Sequence, residues 1–426
     1  MNKISKLTIF IIAIFCLLPI SYAYDNVVYV WQRNWDDNVQ ESIRTLYNRT
    51  GYFAVLCGDL KVNNGKVIVD TVDIDWTALA ETETSTTLVF RINAKAAKLF
   101  ETDTIADISK SIKDAIAKII QKAPEDEITG IQFDYDCPTA KLKGYKRFLE
   151  IIKSEFRKDS ILRPDLEVSI TALSTWLGSG DFKDLVKQTS FYVLQLHAFE
   201  RPRTIDDADD IFFKNEAQGY VKSAIIINHP FYVSLPTYGY DVIFNSKGSF
   251  LGLRAEGQQF AYAKGSVHKR IMAQPNDILA FANRYLSKLD YQPFLGVYWF
   301  RMPVKADEFN WHMKTLLAVL EKRSPLVSVK AEVVVSKDGL CEVYLINDGE
   351  KNVSDQLKIN ISWVNEDVPF FDVVNNFNYI EKSEQNGIQI TGAGIKAGEK
   401  VLVAWFRGVR DNSISISEVE IDKSLN

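Results

Sequence analysis

Short runs rich in β-branched and aromatic residues recur along the first three quarters of the chain, at Val27 to Trp31, Tyr52 to Gly58, Thr87 to Ile92, Gly130 to Asp136, Glu167 to Leu173, Phe191 to His197, Phe231 to Leu235 and Phe294 to Phe300. Each has the composition and length of a β-strand. Between several of them apolar residues return at helical spacing. Ile108, Ile112, Ala115, Ile116 and Ile119 make one stripe, and Leu142, Tyr145, Phe148, Leu149, Ile152 and Phe156 make another. The spacing repeats in Ile278, Phe281, Ala282, Tyr285 and Leu289, and again in Phe309, Met313, Leu316, Leu317 and Leu320. Eight strands alternating with helices predict an α/β fold, a (β/α)8 TIM barrel over residues 24–325. The second connection is irregular: Asn63-Asn64-Gly65, between Lys61-Val62 and Lys66 to Val69, reads as a small hairpin insertion.

After Arg323-Ser324-Pro325 the helical period disappears. Val327 to Val335, Leu340 to Ile346, Leu357 to Val364 and Val401 to Phe406 alternate or are apolar, with turns at Asn347-Asp348-Gly349, Gln385-Asn386-Gly387 and Thr391 to Gly398. Strand and turn signals without helices predict a small all-β sandwich over residues 326–426, an accessory domain that supports the barrel or binds a surface. Without a long linker, the two domains are expected to pack directly.

The fourth strand carries the most informative pattern. In Thr129-Gly130-Ile131-Gln132-Phe133-Asp134-Tyr135-Asp136-Cys137-Pro138, alternation points Ile131, Phe133 and Tyr135 one way and Gln132, Asp134 and Asp136 the other. Pro138 lacks an N–H and disfavours a helical Cys137, so the strand stops near there with its acids at the C-terminal end. In a barrel that end is the functional rim. The same position on the other strands holds Trp31, Gln32, Arg33 and Trp35, then Asp59, then Arg91 and Asn93. Later strands add Thr171 and Trp176, Gln195 and His197, Tyr238 and Tyr240, and finally Trp299 and Arg301. Aromatic rings stack on the apolar faces of sugars while carboxylates and amides bond hydroxyls, so the collection suits an oligo- or polysaccharide.

Composition narrows the setting. Lys3 and Lys6, the apolar run Leu7 to Leu18 and Ser21-Tyr22-Ala23 read as a secretory signal over residues 1–23, so the mature chain is expected to start at Tyr24 and to act in a periplasm or outside the cell. No other apolar run approaches a membrane span. A net charge of −5 over 426 residues with both signs interspersed, and no basic block with interleaved aromatics, gives no sign of a nucleic-acid partner. Removing Cys16 leaves Cys57, Cys137 and Cys341; the first two are expected near one another at strand ends, either as buried thiols or as one bridge. His197, His229, His268 and His312 have no ligand spacing, and two acids alone make a poor cation cage, so neither metal nor other cofactor is expected. Nucleophile-elbow, phosphate-loop and dinucleotide fingerprints do not occur in the sequence.

The segment Thr129 to Asp136 resembles the fourth-strand signature Asp-Gly-x-Asp-x-Asp-x-Glu of the chitinase-like family 18 glycoside hydrolases. Gly130 and Asp134 match it, Thr129 and Gln132 depart, and Asp136 stands where that family has its catalytic Glu. Trp299, in Gly296-Val297-Tyr298-Trp299, is similar to that family's sugar platform. More closely, Gly130 to Pro138 followed by a helix bearing Tyr145 resembles a bacterial barrel family of unknown function grouped with glycosidases by fold. The resemblance covers residues 25 to 325 and implies that the outer acid donates a proton while the inner one orients a substrate acetamide.

Alternate strand residues lie about 6.5–7 Å apart, so each acid senses the other's charge, and one can keep its proton while the other stays ionised. Asp is one methylene shorter than Glu, which makes Asp136 one candidate donor and Glu256, in the loop after the seventh strand, another. The expectation is thus an exported, glycoside hydrolase-like barrel with Asp134, Asp136 and Glu256 as catalytic candidates. Trp31, Arg33, Arg91, Gln195, His197, Tyr238, Trp299 and Arg301 are expected to bind an aminosugar-containing glycan. The alternative is a barrel of the cell envelope that binds glycan without cutting it; separately, the two acids can be read as structural partners of Arg91 or Arg301.

Overall fold

Through the first part of the chain the elements are β1 (Asp25–Val30), α1 (Asp37–Leu46), β2 (Tyr52–Asn63), β3 (Lys66–Thr71), α2 (Trp76–Ala80), β4 (Ser85–Ile92), α3 (Ala94–Ala97), α4 (Ile105–Ile120), β5 (Ile128–Asp134), α5 (Leu142–Arg157) and β6 (Glu167–Ala172). There follow α6 (Gly180–Val186), β7 (Phe191–Gln195), α7 (Lys214–Ile227), β8 (Phe231–Pro236), β9 (Gly239–Phe244), β10 (Phe250–Arg254), β11 (Val267–Met272), α8 (Pro275–Arg284), β12 (Phe294–Phe300) and α9 (Met313–Leu320). These come from a computed structural model, which describes residues 24–64, 66–82, 84–124, 127–158, 166–197, 202–207, 210–255, 264–289, 293–337, 339–353, 355–364, 370–382, 386–392, 394–407 and 414–422. The segment 1–23, read as a signal, lies outside them.

Strands β1, β2, β4, β5, β6, β7, β8 and β12 pair in parallel in that order, and β12 pairs back onto β1 with Asp25 opposite Gly296 and Val28 opposite Trp299. The eight predicted strands are the eight staves of a closed barrel. The hairpin insertion is present as well, since β3 runs antiparallel to β2 beyond the barrel wall, with Asn64 at φ 49° in its turn. Residues of alternating parity fill two separate cores. Ile131, Phe133 and Tyr135 face outward with the buried stripe of α5, from Leu142 to Phe156, and Phe133 meets Phe148 edge-on at 5.2 Å. Burying a side chain of this size contributes roughly 1.5–3 kcal/mol, so the stripe on one helix is enough to seat it.

The other parity fills the barrel. Tyr29, Phe191, Tyr232 and Tyr298 interlock at ring separations of 5.0 to 6.4 Å and plug the interior below its C-terminal end. Above that plug the inward positions become polar. Gln132 is fully buried there, accepting from the Tyr29 hydroxyl at 2.5 Å and donating to Ser169 Oγ at 3.2 Å.

Between β8 and β12 the chain leaves the barrel to form a three-stranded antiparallel sheet, ordered β10-β9-β11. Sequence periodicity missed it because the middle strand β9 is buried along its whole length and shows no alternation. Gly239 opens it where a Cβ would stand 2.2 Å from both the Ile271 carbonyl oxygen and Met272 Sδ, so only glycine lets β11 approach.

Beyond α9 lie β13 (Val329–Val335), β14 (Cys341–Asn347), β15 (Gln356–Trp363), β16 (Phe370–Val373), β17 (Asn378–Lys382), β18 (Gly387–Gly392), β19 (Lys400–Arg407), β20 (Ile414–Ile416) and β21 (Glu420–Asp422). They form two antiparallel sheets, β13-β14-β19-β16 and β17-β18-β15-β20, with β21 also on β15. Burial alternates along β14 and β15, and Val343 and Leu345 join Ile359 and Ile361 in a core distinct from the barrel's. Arg323 ties this region to the end of the barrel by gripping Glu350 at 2.5 and 2.8 Å.

Among the described residues no helix is long and apolar enough to cross a membrane. Cys57 and Cys137 are buried thiols, so of their two readings the bridge is absent.

Candidate active site

Parallel strands deliver all eight C-terminal ends to one face, where the residues just beyond each strand surround the polar upper interior. Strand register sets their heights. Asp59 on β2, Arg91 on β4 and Asp134 on β5 are direct cross-strand partners, placing a cation between two acids at one level of the rim. β5 ends at Asp134, so Asp136 stands just beyond the strand at the lip.

A cavity of about 510 Å3 opens over the barrel's aromatic plug. Asp134 and Asp136 line it with Trp31, Arg91, Thr171, Gln195, His197 and Tyr238, which sequence reading had placed on the rim, and with Tyr29, Ser234 and Phe300. A second cavity of about 370 Å3 shares Arg91, Asp134 and Asp136 with the first and extends over Arg33, Asp59 and Lys61. The acid pair therefore stands between two recesses of different character, one rich in aromatic rings and one rich in charge.

The pair's surroundings favour retention of a proton. Burial, and then the charge of Asp136, push Asp134 from its ordinary 3.8 to about 6, against the Thr171 hydroxyl that donates to Asp134 Oδ1 at 2.8 Å and against the Arg91 charge. Asp136 is also raised by the protein packed around it, although its outer edge is exposed, and Arg91 again opposes the shift. Across the cavity, burial lowers His197 to about 4, so it is neutral at physiological pH. His197 stacks on Phe300 at 5.4 Å; its Nε2 lies 3.2 Å from Ser234 Oγ and its Nδ1 3.3 Å from the Tyr238 hydroxyl.

Four rim expectations need correction. Trp299 belongs to the outward parity of β12: it is 2% exposed beneath the helices and donates Nε1–H to Asn26 Oδ1 at 3.0 Å. Tyr298 and Phe300 are the inward residues, so Phe300 occupies the site that had been assigned to Trp299. Both parities of β12 are apolar, so alternation along the strand gave no signal that separates them. Arg301 is 4% exposed and bonds Asp307 at 2.5 Å, while its carbonyl accepts from Thr237 and Asn310, so it braces the loop after β12 and does not line the cavity. Trp176 and Tyr240 are likewise buried in the outer core. Arg33 lies in the second cavity and pairs with Asp59 at 2.9 Å. Glu256 lies outside the described residues. Among the described residues no group of three His, Cys, Asp or Glu side chains is placed to hold a metal ion.

The family model described as Domain of unknown function (DUF3142) matches residues 83–305, just over half of the 426-residue chain. No curated protein matches. Among solved structures the chain is similar in fold to the spore cortex-lytic enzyme SleL of Bacillus megaterium, at 13% identity over 72% of this chain and 76% of that one, with a TM-score of 0.49. A chitinase from Chromobacterium violaceum aligns at 10% identity over 70% of this chain and 98% of that one, TM-score 0.46. The GH18 chitinase ChiB of Flavobacterium johnsoniae aligns at 13% identity over 71% and 94%, TM-score 0.45.

Proposed function

The chain belongs to the family described as Domain of unknown function (DUF3142); from that premise, which assigns no chemistry, we propose that it is an exported glycoside hydrolase whose acid pair, Asp134 and Asp136, works by carboxylate acid/base catalysis. The observation that carries the reading is the pair's position, on the rim between the two recesses and among rings that can hold sugars. Asp136, at the lip, donates the proton to the glycosidic oxygen. Asp134, held by Thr171 beneath it, stabilises the positive charge that develops at the sugar or at a neighbouring acetamide. Trp31, Tyr238 and Phe300 receive a sugar ring against their faces and edges. Gln195 bonds its hydroxyls, while His197, engaged at both ring nitrogens, orients the Ser234 and Tyr238 hydroxyls in the same wall.

General acid catalysis contributes on the order of 10²- to 10⁴-fold, so Asp136→Asn should lower the cleavage rate by that factor. The purified protein is incubated with a panel of aminosugar-containing oligosaccharides and the products are separated by chromatography. Cleavage that survives Asp134→Asn in a folded variant overturns the assignment of Asp134. Asp in place of Glu at position 136 favours a second reading, binding without cleavage; it predicts retained ligands and no product from any of them. Export rests on the basic start and short apolar run of residues 1–23, and N-terminal sequencing of secreted protein should begin at Tyr24.

A further inference from the structure

The second recess points to what the substrate carries. Its walls hold three cations, Arg33, Lys61 and Arg91, and three acids, the pair Asp134 and Asp136 together with Asp59, which is already bonded to Arg33 at 2.9 Å. Lys61 is drawn to Asp70 at 2.6 Å, on the neighbouring strand of the hairpin insertion. Arg91 is different. Register seats it between Asp59 and Asp134, but Asp59 faces Arg33 and Asp134 takes the Thr171 hydroxyl at 2.8 Å. Among the described residues Arg91 has no hydrogen-bond or ion-pair partner, yet it lines both recesses beside the acid pair.

A planar guanidinium with its donors free beside a candidate cleavage point matches the two oxygens of a carboxylate. The neutral face of a sugar would leave those donors unused. The aromatic rings lie on the other side of the acids, so the two recesses ask for different units: an uncharged ring against Trp31, Tyr238 and Phe300, and an acidic one against Arg91. We propose that the protein acts on an anionic glycan, in which the sugar unit beside the scissile bond bears a carboxylate held by Arg91, with Arg33 and Lys61 adding long-range attraction. This rests on the glycoside hydrolase reading of the same site and goes beyond it by naming the charge of the substrate.

The test compares three classes of substrate: chitin oligosaccharides, which are neutral; two carboxylate-bearing aminosugar polymers, hyaluronan oligosaccharides and peptide-free peptidoglycan strands; and those two polymers after reduction of their carboxyl groups to alcohols. For wild type, kcat/KM on a carboxylate-bearing substrate should exceed that on its reduced form by roughly 10- to 100-fold, the worth of a charge-assisted bond. The preference should shrink as salt rises. In Arg91→Gln the ratio should collapse towards one, and Arg91→Lys should restore part of it. Which of the two polymers is preferred identifies the source of the carboxylate.

Equal cleavage of charged and reduced substrates by wild type overturns the proposal and leaves the hydrolase reading standing, as does a ratio unchanged in Arg91→Gln. Binding without cleavage is scored by the same ratio of affinities, measured calorimetrically. Failure to bind or cut any of the three overturns both readings. The comparison of native with reduced substrate on wild type does not depend on any variant folding.

Discussion

Replacing Asp134 with asparagine is expected to stabilise the protein at neutral pH while removing its activity. Burial first, and the Asp136 charge second, push this carboxyl from its ordinary 3.8 to about 6. The folded state therefore holds a proton more tightly than the unfolded chain does. Below 3.8 the group is mostly neutral in both states; as pH rises towards about 6 the unfolded chain releases its proton first, and above that the folded state bears the whole cost of the buried charge. A gap of roughly two pH units, at about 1.4 kcal/mol each, amounts to about 3 kcal/mol. Because the cavity lets water reach the side chain, about 2 kcal/mol is the expected net gain on neutralising it. Asparagine keeps the shape, and its carbonyl can still accept from Thr171, which lies 2.8 Å from Asp134 Oδ1. Urea titrations of both proteins at about pH 7 and about pH 3.5 give the difference directly. The variant should be more stable by about 2 kcal/mol at the higher pH and equal to the parent at the lower one. A variant that is no more stable than the parent at about pH 7 would refute the argument, because the carboxylate would then be as well solvated in the protein as in water.

The remaining predictions concern the pair's chemistry and the parity of the strands. Cleavage should rise as pH rises through about 6, where Asp134 becomes the carboxylate that its charge-stabilising role needs, as a pH–rate profile would record. In Asp136→Asn, carboxyl-carbon NMR should find Asp134 titrating lower than in wild type but still above 3.8, since the neighbouring charge is gone and the burial remains. Trp299→Ala should lower stability by about 3–5 kcal/mol and leave the KM of the folded fraction unchanged, because the ring is a core residue; a raised KM would return it to the site. Gly239→Ala should destabilise by at least about 1–3 kcal/mol in thermal melts, since its Cβ would meet Ile271 and Met272 at 2.2 Å.

Much of this architecture is legible along the chain. Period-2 runs separated by the stripes of α4 and α5 specify strands and helices, because a side chain's face is set by local backbone geometry and its burial by its own polarity. Gln132 and Asp134 reveal an interior polar face in the same way, being the polar parity of an otherwise apolar strand. Other features have no local signal. On β12 both parities are apolar, Val297 and Trp299 outward and Tyr298 and Phe300 inward, so nothing in the residues themselves tells the faces apart. Closure of β12 onto β1 decides it, and a one-residue change of parity moves Trp299 from the site to the outer core. The buried strand β9 lost its alternation for a related reason, with both of its faces covered by distant parts of the chain. Arg91 is the same case in electrostatic form. The sequence determined that a cation stands at the end of the third barrel strand, but only the register of β2, β4 and β5 decided that Asp59 and Asp134 would flank it and find other partners, because competition for a charge depends on distance in space.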